Sequence, residues 1–215
     1  MMKKSIIFCL TMFYFLITAN AQNALYAVCE TSGDDIKKEV KFETEPTIQP
    51  GLCINVLFQY THTISAFKEN GKAAFRTPEL SINDGVSYPI TVAGELAGEG
   101  FVSSGEVHEL VFTGKTWEDK TALVRYKGSD VNGNYMKGRD GLITQWKKYK
   151  TSRCTINNYW TFSVPFVEIP CVYSSVSRYG DTSIPADNYS IIVNATTTQC
   201  QFGADTGCCL YAIGY

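Results

Sequence analysis

The 215-residue sequence is short of the residues that carry most enzyme chemistry. Only two histidines occur, His62 and His108, and no G-x-S-x-G turn is present on which a serine nucleophile would be raised. No C-x2-C pair with a matching second pair sets out zinc ligands, and the three glycines between positions 93 and 100 lack the spacing of a phosphate cradle. These absences exclude the common compact catalytic motifs. They leave open a hydrolase whose carboxylates are dispersed along the chain.

Long apolar runs are also lacking after position 18. The exception at the start, Ser5 to Thr18, follows Lys3 and Lys4 and precedes Ala19-Asn20-Ala21. A charged start, a short apolar stretch and a small-residue cleavage site predict a signal peptide over residues 1–21 and no transmembrane segment thereafter. The remaining 194 residues then form an exported protein, extracellular or, in a bacterium, periplasmic. Without the signal the chain carries 17 basic against 21 acidic residues. This balance gives nucleic acid no electrostatic footing as a partner.

Cysteine, by contrast, is plentiful. Cys29, Cys53, Cys154, Cys171, Cys200, Cys208 and Cys209 follow the signal. In an exported chain they read as a disulfide framework with one thiol left over. Cys154 and Cys171 are both expected to be bonded, and Cys200, Cys208 and Cys209 to tie down the C-terminus. The odd thiol makes disulfide-linked self-association a candidate, alongside non-covalent self-association.

The dominant pattern is a period of two. Cys53 to Phe67 alternates apolar Ile54, Val56, Phe58, Tyr60, His62 and Ile64 with mostly polar neighbours, which predicts one long strand with a bend in it. Ile156 to Phe166 repeats the pattern with Trp160, Phe162, Val164 and Phe166 on one side, a natural cover for the Val56/Phe58/Tyr60 face. Tyr189, Ile191 and Val193 alternate in a later strand, and Leu210 to Tyr215 is expected to be a strand too. Asn70-Gly71 and Asn83-Asp84-Gly85 mark tight hairpins. Thr116 to Asp119 resembles a capped turn, and Gly128 to Gly141 is the most loop-like stretch.

Together these features predict an all-β fold: a disulfide-stapled β-sandwich or partly closed barrel with at most one or two short helices. Residues 22–215 read as a single β-rich domain, with a split near Gly114 or Gly128 as the alternative.

Candidate sites are few. His62 on the apolar strand face reads as a core or edge histidine, and His108 as a solvated cross-strand neighbour. Asp130-Val-Asn132-Gly-Asn134 starts like a calcium loop. However, Tyr135 replaces the required glycine and Gly141 the bidentate glutamate, so a plain hairpin loop is expected and no metal or cofactor is assigned. Asn188 and Asn194 each head an N-x-S/T glycosylation sequon. Gly141 to Arg153 has a helical apolar spacing, with Asp140 as N-cap and lysines at its end. Trp146, Lys147, Lys148, Tyr149, Lys150 and Arg153 form the candidate ligand-binding patch, an aromatic platform with ammonium groups for an acidic glycan. The resulting expectation is a secreted, non-catalytic binding or structural protein that recognises a glycan or a cell-surface protein. The rival readings are the exported hydrolase and a β-rich toxin acting on membranes.

Overall fold

The structure is a computed structural model that describes residues 25–63, 67–69, 72–149, 157–176, 190–204 and 208–215. Every regular element among these residues is a β-strand. The first half comprises β1 (Leu25–Cys29), β2 (Lys37–Val40), β3 (Cys53–Phe58), β4 (Phe67–Glu69), β5 (Lys72–Ala74), β6 (Glu79–Ile82), β7 (Tyr88–Val92), β8 (Glu95–Leu96), β9 (Val107–Phe112) and β10 (Trp117–Asp119). Apart from the β4–β5 hairpin they form one mixed sheet in the order β1-β3-β9-β10-β7-β6-β2, with β8 paired to β7. The sheet curls until its two edge strands, β1 and β2, approach each other as a nearly closed barrel. Alternation sends Ile54, Val56 and Phe58 of β3 and Leu110 and Phe112 of β9 inward, where they pack with Leu80, Ile82, Ile90 and Trp117.

The second half comprises β11 (Val124–Asp130), β12 (Gly133–Gly138), β13 (Ile143–Tyr149), β14 (Asn158–Thr161), β15 (Cys171–Val176), β16 (Ser190–Ala195), β17 (Gln199–Ala204) and β18 (Cys208–Gly214). A five-stranded antiparallel sheet, β11-β12-β13-β18-β15, carries the three-stranded sheet β14-β17-β16 over one face. Trp160, Phe162, Phe166, Phe202, Leu210 and Ala212 fill the space between them. The two halves are joined through backbone. Gly98 N–H donates to Arg125 O at 3.0 Å and Lys127 N–H to Glu99 O at 2.7 Å, so the segment after β8 covers the free edge of β11. Phe75 stacks on Tyr126 at 4.2 Å, and Arg139 donates to the Asp119, Lys120 and Ala122 carbonyls.

Both hairpin signals are present as hairpins. β4 pairs with β5, with Glu69 opposite Lys72, and β6 pairs with β7 across Asn83 and Asp84, whose φ angles of 47° and 59° are those a tight turn demands. The C-terminal strand is also present, as β18, an interior strand between β13 and β15.

Several expectations need correction. The long strand stops at Phe58, because the chain turns there to bring His62 inward: Thr63 N–H donates to Gly33 O, and Gly100 N–H to His62 O. The aromatic strand is regular only over β14. Beyond it Val164 is paired by a side chain instead of a ladder, with Gln145 Nε2 donating to its carbonyl (2.5 Å) and Oε1 accepting its N–H (3.0 Å). Its aromatics belong to the second core and do not cover Val56 and Phe58. Thr116 to Asp119 holds β10, Gly128 to Gly141 is largely the β11–β12 hairpin, and Gly141 to Tyr149 contains β13 and no helix. In β16, Ile191 and Val193 face solvent and Ile192 packs on the core.

The expected disulfide staple is not shown among the described residues. Cys29, Cys53, Cys171, Cys200 and Cys209 are free thiols. Cys29 lies opposite Phe58, five positions along the neighbouring strand from Cys53. At about 3.3 Å per residue that offset exceeds the reach of a disulfide. Cys200 and Cys208 are fully buried and pack as small apolar side chains. Cys154 lies outside the described residues.

Candidate functional site

The predicted binding patch falls on β13, and strand geometry divides it. Ile143, Gln145, Lys147 and Tyr149 point toward the sandwich core, while Thr144, Trp146 and Lys148 point to the opposite, outer face. Lys147 extends to the core side's rim, donating to Val131 O at 2.7 Å with its ammonium 4.9 Å from the Tyr149 ring. Tyr149 packs on Phe202 at 4.8 Å. The helix expected here would have gathered the lysines at one end. The strand separates Lys147 from Lys148. Lys150 and Arg153 lie outside the described residues, as does Asn188; Asn194 is exposed.

Trp146 and Lys148 instead meet residues from other strands. Asn134, Trp146, Tyr211 and Tyr173 lie directly opposite one another on β12, β13, β18 and β15, forming one row across the outer face. The Tyr173 and Tyr211 rings are stacked, with centroids 5.6 Å apart and planes 15° apart. A second row runs Met136, Thr144, Ile213, Cys171, and a third runs Lys148, Cys209, Ser175. Of the three tryptophans, Trp117 and Trp160 are buried, and Trp146 alone is partly exposed. Aromatic faces and edges next to amide, hydroxyl and ammonium groups can hold a sugar ring through CH–π contact and hydrogen bonds. Nothing in this row activates a nucleophile. Tyr173 and Tyr211 were missed as partners of Trp146 because pairing register between distant strands is not written locally. The period of two in Cys171-Val172-Tyr173 and Cys209-Leu210-Tyr211 was the available signal.

The histidines behave differently. His62 is fully buried, near the edge of Phe101 (ring centroids 5.6 Å apart), with neither ring nitrogen hydrogen-bonded. Burial, and then the nearby Lys38 ammonium, push its pKa down to about 4. His108, expected at the surface, is buried on the inward face of β9. Its Nδ1 lies 2.7 Å from Asp119 Oδ2 and its Nε2 3.1 Å from Glu106 Oε2. Burial opposes its charge, but the bonds and charges of Asp119 and Glu106 prevail and raise its pKa. Asp119 Oδ1 in turn accepts the Thr121 and Ala122 N–H groups at 2.9 and 2.8 Å. The imidazole's hydrogen bonds hold β9, β10 and the turn before β9 together.

No protein-family model and no curated protein matches the chain. Two solved structures show a partial likeness at 18% identity over 41% of this chain. They are an N-truncated R2-type pyocin tail fibre (TM-score 0.33) and the C-terminal residues 323–691 of an R2 pyocin fibre from P. aeruginosa (TM-score 0.32). The chain spans 37% and 26% of those two chains. Likeness at this level assigns neither fold nor role. No helix among the described residues is long and apolar enough to cross a membrane.

Proposed function

We propose that this is an exported, non-catalytic binding protein that recognises a glycan on the outer face of its five-stranded sheet. The observation that carries the reading is the row Asn134–Trp146–Tyr211–Tyr173, which assembles three aromatic rings from three strands on one exposed face. Lys148 and Ser175 beside that row favour a ligand bearing carboxylate or sulfate groups. Export rests on the first 21 residues.

Tryptophan fluorescence tests the reading directly, because Trp117 and Trp160 are shielded and Trp146 dominates any ligand-induced change. A heparin-derived hexasaccharide is expected to quench this emission, and Trp146→Ala to abolish binding. The interaction should weaken with salt, since exposed charges are screened over about 10 Å at 0.1 M. Lys148→Ala should weaken binding and Lys147→Ala should not, because β13 turns the two side chains to opposite faces. An array of neutral and acidic glycans giving no ligand, or binding indifferent to Trp146→Ala, overturns the proposal.

A further inference from the structure

The outer face of the five-stranded sheet changes character along its strands. Down the outward side of β13 the residues run Lys148, Trp146 and Thr144, each step of two residues covering about 7 Å, and Leu142 follows just outside the strand. Each position brings its cross-strand row with it. The Lys148 row holds Ser175, the Trp146 row holds Tyr211 and Tyr173, and the Thr144 row holds Met136 and Ile213. The order along the face is therefore cation and hydroxyl, then aromatic rings, then aliphatic side chains.

The aliphatic end opens into a groove of about 570 Å³, a size that suits a small ligand. Met136, Thr144 and Leu142 line it from the sheet, and Ala93 of the β7–β8 turn and Leu123 of the link to β11 close its far side. Leu123 is 80% exposed, an aliphatic side chain left in water at the groove wall. Arg139 also lines the groove, but its Nη1 already donates to the Asp119, Lys120 and Ala122 carbonyls and its Nη2 lies 3.9 Å from Glu118 Oε1. It offers the groove its methylene stem more than its charge. Asp140 Oδ1, at the same end, accepts the Leu142 N–H at 3.1 Å. With these polar groups engaged inside the protein, the groove suits a hydrocarbon chain.

We infer that the ligand of this face is an acidic sugar carrying an acyl chain, as in a glycolipid. Its ring rests on Trp146 and Tyr211, and its anionic group meets Lys148 on one side. Its chain runs over Met136 and Thr144 into the groove on the other. The inference rests on the glycan reading and adds to it the apolar half of the ligand.

The probes are methyl, butyl and octyl β-D-glucuronide, titrated as monomers against the full chain with tryptophan emission as the readout. A fully buried methylene is worth about fourfold in affinity, and a half-buried one about twofold. The octyl compound should therefore bind at least about tenfold more tightly than the butyl one. Leu123→Asp, at a position exposed enough to leave folding untouched, should bring the octyl compound down to the affinity of the methyl one. Octyl glucoside, which lacks the carboxylate, should bind more weakly than octyl glucuronide. Equal affinities for the methyl and octyl compounds, with the emission change intact, overturn the inference and leave the glycan reading standing. An octyl gain that survives Leu123→Asp also overturns it, because the chain then lies elsewhere. Octanoate binding as tightly as octyl glucuronide, indifferent to Trp146→Ala, assigns the groove to a fatty acid and refutes the sugar-bearing ligand. Silence from all three glucuronides overturns the inference alone, and silence from the heparin-derived hexasaccharide as well takes the glycan reading with it.

Discussion

In the barrel half Lys38, His62, His108, Glu118 and Asp119 are all buried, whereas in the described part of the sandwich half the buried polar side chains are Gln145 and Ser163. Both halves meet the same requirement, that a buried polar group find a partner, but with different chemistry. The barrel uses charge. Lys38 Nζ donates to Ser32 O at 2.5 Å, Glu118 accepts Thr91 Oγ1–H at 2.7 Å, and Asp119 serves His108 and two backbone amides. The sandwich uses a neutral amide, Gln145, in place of a missing ladder, and buries the Cys200 thiol, whose pKa is pushed up to about 12 by that burial. A charged interior makes stability depend on pH, and a neutral one does not. The halves should therefore part company when the pH is moved, although they share one chain and one junction.

The largest expected effect is at Asp119. Asp119→Ala leaves the buried Nδ1 of His108 and two turn amides without their acceptor, which should cost about 3–5 kcal/mol, read as a fall in the urea midpoint. Equal loss from a comparable charge removal in the sandwich half would erase the contrast.

The two histidines set opposite pH limits on the barrel. The folded pKa of His62 is depressed from 6.5 to about 4, so the stability tied to its neutral form is complete above pH 6.5 and is lost as the pH falls through about 4. That limb amounts to about 3 kcal/mol. His108 has a raised folded pKa, so its contribution is complete below pH 6.5 and disappears as the pH rises through the raised value. Hydrogen exchange at pH 4.5 should open β3 and β9 before β13 and β18, and His62→Phe should remove this acid sensitivity. Simultaneous opening of all four strands would show that the junction couples the halves completely.

A neutral counterpart follows in the sandwich. Gln145→Leu strands the N–H and C=O of Val164 in the core and should cost about 2 kcal/mol, with no dependence on pH between 4 and 8. The smallest effect is expected at the proposed binding face. Trp146→Ala should shift stability by less than about 1 kcal/mol while removing ligand-induced fluorescence change.

How much of this was legible beforehand depends on the range of the cause. Residues such as Ile54, Val56 and Phe58, or Leu210 and Ala212, announce their facing through local alternation, and both hairpins announce themselves through Asn and Gly. The β13 segment misled because Leu142, Ile143, Trp146 and Tyr149 fit a helical period as well as a strand. Its place between β12 and β18 decides the matter through ladder bonds that a solitary helix there would forgo.

By itself, then, the sequence determined the all-β class, the two hairpins, the C-terminal strand and the absence of compact catalytic motifs, since each follows from local periodicity, turn chemistry or residue type. Only the tertiary structure decided the division into two cores, the bracketing of His108 by Asp119 and Glu106, the separation of Lys147 from Lys148, and the alignment of Trp146 with Tyr211 and Tyr173. Each of these depends on the register between strands that are distant in sequence. Register is fixed by which faces can be buried together, and no short stretch of residues contains that information.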